Sequence, residues 1–270
     1  MTDVRTDAAA AKPLGNPHGT HIWYELLTTD AEGSKAFYEA VVPGWRVGAP
    51  SAEHRGYREI NIDGGGHAGG MMLLDDEMLA HGAKPVWLGY VGVDDVDASV
   101  GEVQKRGGQV HLPAFDIAGI GRIAMVTDAQ GNPFYLMRGF IEAASDAFST
   151  SAEGHVNWNE LSTPDPAAAR RFYNELFGWT SDDFMPMGEL GEYRFLAHRG
   201  ETIGAIMGVA AGGRAGWRYY IRVPSIPAAV EAVKAGGGTV ASGPHEVPGG
   251  DHVLTGIDPQ GAEFSLVGKA

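Results

Sequence analysis

Two short stretches of this chain place an indole two residues before a carboxylate: Trp23-Tyr24-Glu25 and Trp158-Asn159-Glu160. Both stretches read as strands, about residues 21–28 and 156–163. Side chains two apart on a strand share a face. One face of the first strand therefore carries His21, Trp23, Glu25 and Leu27. The matching face of the second carries Trp158, Glu160 and Ser162. Leu26, Thr28, Leu161 and Thr163 point the other way. Later strands, about 86–93 and 217–223, add Leu88, Tyr90 and Gly92, or Arg218, Tyr220 and Arg222. An acid set among flat aromatic rings suits a planar or hydrophobic ligand and a proton moved on it.

The two acids are not equivalent. Glu160 has Arg218 and Arg222 for neighbours, so a structural ion pair and a catalytic role are both open. Glu25 has apolar neighbours across the sheet. A half-buried, unpaired carboxylate has a raised pKa and serves as a general acid or base. Glu25 is therefore the first catalytic candidate and Glu160 the second. Trp23 and Trp158 fit two roles, packing of the sheet core and contact with a ligand. His21 and His67 could join Glu25 in a two-histidine, one-carboxylate cation site, against the simpler reading of scattered edge histidines. His245 and His252 flank the loop "PGGD" as exposed polar residues or as a gate. "DGGGHAGG" is no phosphate loop, because no GK[ST] follows it. Met71, Met72 and Met125 read as adaptable packing.

What positions these residues is a repeat. An offset of 135 matches Trp23 with Trp158, Glu25 with Glu160, Asp30 with Asp165, Phe37 with Phe172 and Tyr38 with Tyr173. An offset of 130 then matches "TDAQGNPFYLM" with "GIDPQGAEFSLV". Each copy opens with a strand and a helix capped by Asp30 or Asp165, with Pro166 at the first helical position. Ser34, Phe37, Tyr38 and Val41, or Ala169, Phe172, Tyr173 and Leu176, form one buried helix face. Three short strands follow, then a new strand and a second helix that stops at a glycine run. The last two strands meet at "DAQG" or "DPQG". The order is βαβββ twice per domain and four times per chain. The expected divisions are a flexible leader (1–17), a first domain (18–140), a linker (141–153) and a second domain (154–270). The expected fold class is α+β, each domain a cup-shaped mixed sheet with its helices outside.

Composition narrows the partners. Among 270 residues there is no Cys, which excludes disulfides and thiolate metal sites and suits a cytoplasmic setting. A formal charge of −14 repels phosphate backbones, so nucleic acid is not an expected partner. No apolar run is long enough to span a membrane.

With "TTDAEGSKAFYEAVVPGW" and "STPDPAAARRFYNELFGW" in register, the chain resembles the vicinal oxygen chelate superfamily, which includes glyoxalase I, bleomycin- and fosfomycin-resistance proteins and extradiol dioxygenases. The resemblance runs over residues 18 to 268. It implies that each pair of modules curls into a cup with the ligand inside. It also implies metal-ligand positions, which here hold Trp23, Leu88 and Tyr135 in the first cup and Trp158, Arg218 and Ser265 in the second. Indole and aliphatic groups cannot coordinate a divalent cation, and neutral Tyr or Ser is a poor substitute. The expectation is a metal-free protein without a cofactor, binding a hydrophobic or aromatic small molecule by sequestration or with acid/base chemistry. His21, Trp23, Tyr90, Tyr135, Trp158, Arg218, Tyr220 and Arg222 are its expected ligand-facing residues. A divalent-metal-dependent lyase, isomerase or dioxygenase is the alternative, and an interaction module with filled cups a third reading. The expected assembly is a monomeric pseudo-dimer or a homodimer.

Overall fold

The computed structural model describes residues 15–210 and 212–270, so most of the leader lies outside the described residues. The first half contains β1 (Thr20–Thr28), α1 (Ala31–Val41), β2 (Trp45–Val47), β3 (Arg58–Ile62), β4 (His67–Leu73), α2 (Asp76–Ala80), β5 (Val86–Gly92), α3 (Val96–Lys105), β6 (Gln109–Ile117), β7 (Gly121–Thr127) and β8 (Pro133–Gly139). The second half contains β9 (Val156–Thr163), α4 (Pro166–Phe177), β10 (Phe184–Pro186), β11 (Glu192–His198), β12 (Glu201–Gly208), β13 (Gly216–Ser225), α5 (Ile226–Ala235), β14 (Thr239–Glu246), β15 (His252–Ile257) and β16 (Glu263–Lys269). The class is α+β. Each half builds one mixed eight-stranded sheet, in the orders β2-β3-β4-β1-β5-β8-β7-β6 and β10-β11-β12-β9-β13-β16-β15-β14. The opening strands of the two modules, β1 with β5 and β9 with β13, run antiparallel at each centre.

Local signals explain the long helices. Asp30, Asp165, Asp95 and Ser225 each accept a backbone N–H of the first turn through the side chain. Such a cap satisfies an orphan donor and stabilises a helix by about 1 kcal/mol. The helix α4 ends at Gly178, whose φ of 72° is the left-handed conformation that glycine adopts without strain. The helix α2 was not among the expected elements. It lies between β4 and β5, capped by Asp75, and among the described residues no helix lies between β12 and β13.

The two sheets pack back to back, and their core is shared. Tyr24 and Leu26 of β1 join Phe37 and Tyr38 of α1 in one cluster with Ile221, Phe264 and Leu266 of the second half. A second cluster joins Val91, Phe134 and Leu136 to Leu161, Phe172 and Tyr173. At the centre Gly89 has no side chain, and the Tyr219 ring fills the place where a Cβ would stand; its hydroxyl accepts the Gly89 N–H at 2.8 Å.

The repeated residues meet across this interface in reciprocal pairs. The Tyr38 hydroxyl donates to Asp258 at 3.0 Å and receives the Trp87 indole N–H at 2.9 Å. The Tyr173 hydroxyl donates to Asp128 at 3.1 Å and receives the Trp217 indole N–H at 3.1 Å. Each aspartate also holds its own hairpin turn by accepting two backbone N–H groups. Trp45 and Trp179 donate in the same crossed fashion to the carbonyls of Gly154 and Gly19. The segment between the sheets is docked: Ala147 is fully buried, and the Ser145 N–H binds Asn16 at 2.7 Å.

One site expectation is corrected here. β1 carries a bulge between His21 and Trp23, where it pairs with β5. The extra residue turns His21 to the convex side and Ile22 to the concave side. His21 lies in the interface, its ring 5.0 Å from Trp179, and neither ring nitrogen has a partner among the described residues. Burial, and then the nearby His198, push its pKa down to about 3.

Two outcomes follow. Residues 15–140 and 154–270, produced separately, should each fail to unfold cooperatively in denaturant. Mixing them should restore the near-ultraviolet circular dichroism of the intact chain; a half that melts cooperatively alone would refute the shared core. A base with a depressed folded pKa contributes stability above its ordinary value of 6.5 and loses it as pH falls toward 3. Unfolding free energy should therefore drop by about 2 kcal/mol more between pH 6.5 and 5 in the native chain than in His21→Leu.

Candidate functional site

The concave faces of the two sheets hold the Trp–Glu pairs. In the first cup Trp23 pairs across the sheet with Tyr90, and Tyr90 with Tyr135, and Tyr135 with Met125. The Tyr90 and Tyr135 rings stack with centroids 4.2 Å apart. Glu25 sits beside this row, opposite Leu88. Its Oε2 accepts the Tyr90 hydroxyl at 2.9 Å, and its Oε1 has no partner among the described residues. Only 3% of Glu25 is exposed.

Tyr57, just ahead of β3, completes the constellation and was not among the sequence candidates. It accepts the Trp23 indole N–H at 2.6 Å, and its hydroxyl also stabilises the Glu25 carboxylate. Its ring lies over Gly70, where a Cβ would come within 2.0 Å of the Tyr57 oxygen. The second cup repeats the arrangement: Trp158 donates to Tyr193 at 2.8 Å, and Tyr193 donates to Glu160 at 2.8 Å. Tyr57 and Tyr193 are themselves a repeat match, at an offset of 136. That match was the signal available.

The surroundings set the two acids apart. Burial raises the Glu25 pKa from 4.5 to about 7, against the opposing Tyr90 hydrogen bond and then the Tyr57 hydroxyl. Desolvation favours the neutral form, and among the described residues no cation stands near to offset it. Burial also raises Glu160, opposed by Tyr193 and by the positive charge of Arg218 3.6 Å away. Tyr220 gives it a further bond at 3.3 Å. The ion-pair reading of Glu160 therefore holds in geometry, with Glu263 as the nearer partner of Arg218 at 2.6 Å. Arg222 binds Asp251 and Asn157, both at 2.5 Å.

The rest of the first cup is apolar. Leu27, Leu74, Leu88 and Ile123 fill its floor, and Met72, Met78, Met125 and Met137 pack over them half-buried. Met78 comes from α2, which lies over the cup and is tied to the Tyr57 loop by an Arg55–Asp75 ion pair at 2.7 Å. On the edge strand β6, Leu112 and Phe115 stand in register with Met125 and Ile123 and remain exposed. A depression of ≈ 310 Å³ opens beside them, lined by His111, Met125, Thr127 and Pro133 among others. It shares only Met125 with the packed part of the cup.

A divalent cation does not fit either cup. The inherited ligand positions carry Trp23, Leu88 and Tyr135, or Trp158, Arg218 and Ser265. Among the described residues no three His, Asp or Glu side chains converge. Glu25 is a single acid in an apolar wall, and first-row cations need several imidazole or carboxylate ligands together.

Known proteins share this design. A family model described as "Glyoxalase-like domain" matches residues 158–267. The chain is 33% identical over 263 residues to "Putative glyoxylase CFP32" of Mycobacterium bovis, covering 93% of this chain and 95% of that protein. It is 31% identical over 265 residues to "Anthracycline biosynthesis protein DnrV" of Streptomyces peucetius, covering 92% and 93%. Among solved structures, an Mn(II)-bound glyoxalase from Novosphingobium aromaticivorans superposes with a TM-score of 0.62 at 18% identity, over 93% of this chain and 83% of that one. The 2,3-dioxygenase LapB from Pseudomonas sp. KL28 superposes at 0.60 with 13% identity, over 94% and 93%. At these identities the structural likeness is one of fold.

An acid with a raised folded pKa contributes stability below its unfolded value, and loses it as pH rises through the folded value. Stability should therefore fall between pH 4.5 and 7 by about 3 kcal/mol on account of Glu25. Glu25→Gln should abolish that part of the slope in urea titrations run across the range. An unchanged slope would mean that the carboxyl is not isolated as described.

Proposed function

This chain belongs to the vicinal oxygen chelate superfamily as a tandem glyoxalase-like member, and from that premise we propose that its first cup takes up a flat, apolar small molecule without a metal ion. Glu25 is the group that exchanges a proton with it. The observation that carries this reading is Glu25 Oε1, a buried carboxyl oxygen without a partner among the described residues, set in aromatic and methionine walls.

The parts have distinct tasks. The stacked Tyr90 and Tyr135 give one flat wall, and the Trp23 indole another; rings of this kind recognise planar ligands by area and by their electron distribution. Methionine side chains adapt to an irregular apolar outline. Tyr90 holds Oε2 as an acceptor, which leaves Oε1 as the atom facing the ligand. Near pH 7 both forms of the carboxyl are populated. The ionised form accepts a proton from an acidic O–H or C–H, and the neutral form donates to a carbonyl oxygen. Two relatives carry names from anthracycline biosynthesis, and anthracyclines are flat fused-ring molecules, which agrees with such walls. The solved neighbours include a Mn(II)-bound glyoxalase, so metal dependence is the reading that the experiment must separate.

The test uses 1-naphthol, a flat phenol, with tryptophan fluorescence as the readout. Saturable quenching is expected, unchanged after chelation and dialysis, with a midpoint in its pH dependence near 7 that vanishes in Glu25→Gln. Elemental analysis of the same sample should find far less than one Zn, Fe, Mn or Ni per chain. Stoichiometric metal together with loss of binding on chelation would sink the proposal, and so would the absence of saturable quenching.

A further inference from the structure

We infer that the second concave face is a binding site of its own, for a neutral polyhydroxylated molecule of the sugar class. The two cups share a backbone and differ in chemistry at matching positions. Leu88 of the first gives way to Arg218 of the second, and Pro133 to Glu263; the two replacements meet as an ion pair at 2.6 Å. Leu27, Met125 and Tyr135 give way to the hydroxyl residues Ser162, Thr255 and Ser265. Ser162 receives an Arg218 N–H at 2.8 Å, and Thr255 and Ser265 bond each other at 3.1 Å. Gly92 gives way to Arg222, held by Asn157 and Asp251.

This polar surface is open. Among the described residues no helix stands between β12 and β13 to cover it as α2 covers the first cup. The Arg218–Glu263 and Arg222–Asp251 side chains keep between 17 and 22% of their surface accessible. Trp158 and Phe195 stand half-exposed beside them, ring centroids 6.0 Å apart.

Three features select the ligand class. Arg218 and Arg222 each already face a carboxylate, so neither guanidinium offers an uncompensated positive charge to an anion. The ion pairs lock planar donor and acceptor forks in place, and Arg222 Nη1 and Glu263 Oε2 have no hydrogen-bond partner among the described residues. Neighbouring hydroxyls of a sugar, each donor and acceptor at once, match such forks. An indole face beside them takes the apolar C–H face of a sugar ring.

Saturation-transfer NMR with methyl α-glucoside, methyl α-rhamnoside and methyl β-xyloside tests the inference on the intact chain, with citrate and glycine betaine as anionic and zwitterionic controls. At least one glycoside should give saturable transfer at millimolar concentration. Arg222→Met and Trp158→Phe should each weaken it about tenfold or more, in chains that still unfold cooperatively. Glu25→Gln should leave it intact, which separates this site from naphthol uptake in the first cup. No transfer to any glycoside, transfer indifferent to both second-cup variants, or citrate as the best ligand would each overturn the assignment.

Discussion

The crossed hydrogen bonds from Tyr38 to Asp258 and from Tyr173 to Asp128 tie each helix to the other half's last hairpin. Each hydroxyl is buried, so leaving its partner unmade would cost the full desolvation of a polar group. Each carboxylate is also fixed by backbone N–H groups of its turn, so the acceptor is in place before the tyrosine arrives. The bonds therefore set the relative placement of the two sheets as well as adding stability. With the convex faces committed to one another, the concave faces point away from the shared core. Both cups owe their orientation to this constraint.

It also explains why the repeated phrases carry so little of the binding chemistry. Phe37-Tyr38 with Trp45, and Phe172-Tyr173 with Trp179, are interface residues, and so are Asp128 and Asp258. Their pairing fixes them in both copies at once, because a change in one half strands a buried partner in the other. Concave positions have no such partner across the molecule. Leu88 and Arg218 occupy the same strand position without disturbing the back-to-back packing. The two concave faces share the Trp–Tyr contact and the Tyr90 or Tyr220 hydroxyl on each acid, held by bonds within each cup.

The repeat, the caps and the strand register were legible in the sequence because they depend on short-range periodicity. The placement of Trp23, Glu25, Tyr90 and Tyr135 on one face follows from that register. His21 was misplaced because a bulge adds one residue and inverts the alternation beyond it. The position matching His21 in the second copy is Val156, a residue of the shared core, and that pairing was the one sign of the inversion. The repeat match with Tyr193 marked Tyr57, but its role depends on two long-range contacts, a bond to Trp23 and a seat over Gly70. The helix α2 has no fully buried residue and, among the described residues, no counterpart in the second half, so neither periodicity nor repetition announced it. The partners of Arg222 lie 29 and 65 residues away, beyond any local pattern.

The difference between Glu25 and Glu160 follows from a single substitution seen through electrostatics. Both acids are buried and both receive tyrosine hydroxyls. Opposite Glu25 the neighbouring strand presents Leu88, and opposite Glu160 it presents Arg218. A hydrogen bond from a neutral hydroxyl steadies a carboxylate, yet it cannot replace the field of a nearby cation in a medium of low polarity. Tyr90 therefore orients the Glu25 carboxyl while burial decides its charge. Arg218 opposes burial at Glu160 and is itself held by Glu263, so the second acid belongs to a braced network. One strand position thus divides a duplicated arrangement into an acid isolated in an apolar wall and an acid braced in a polar one.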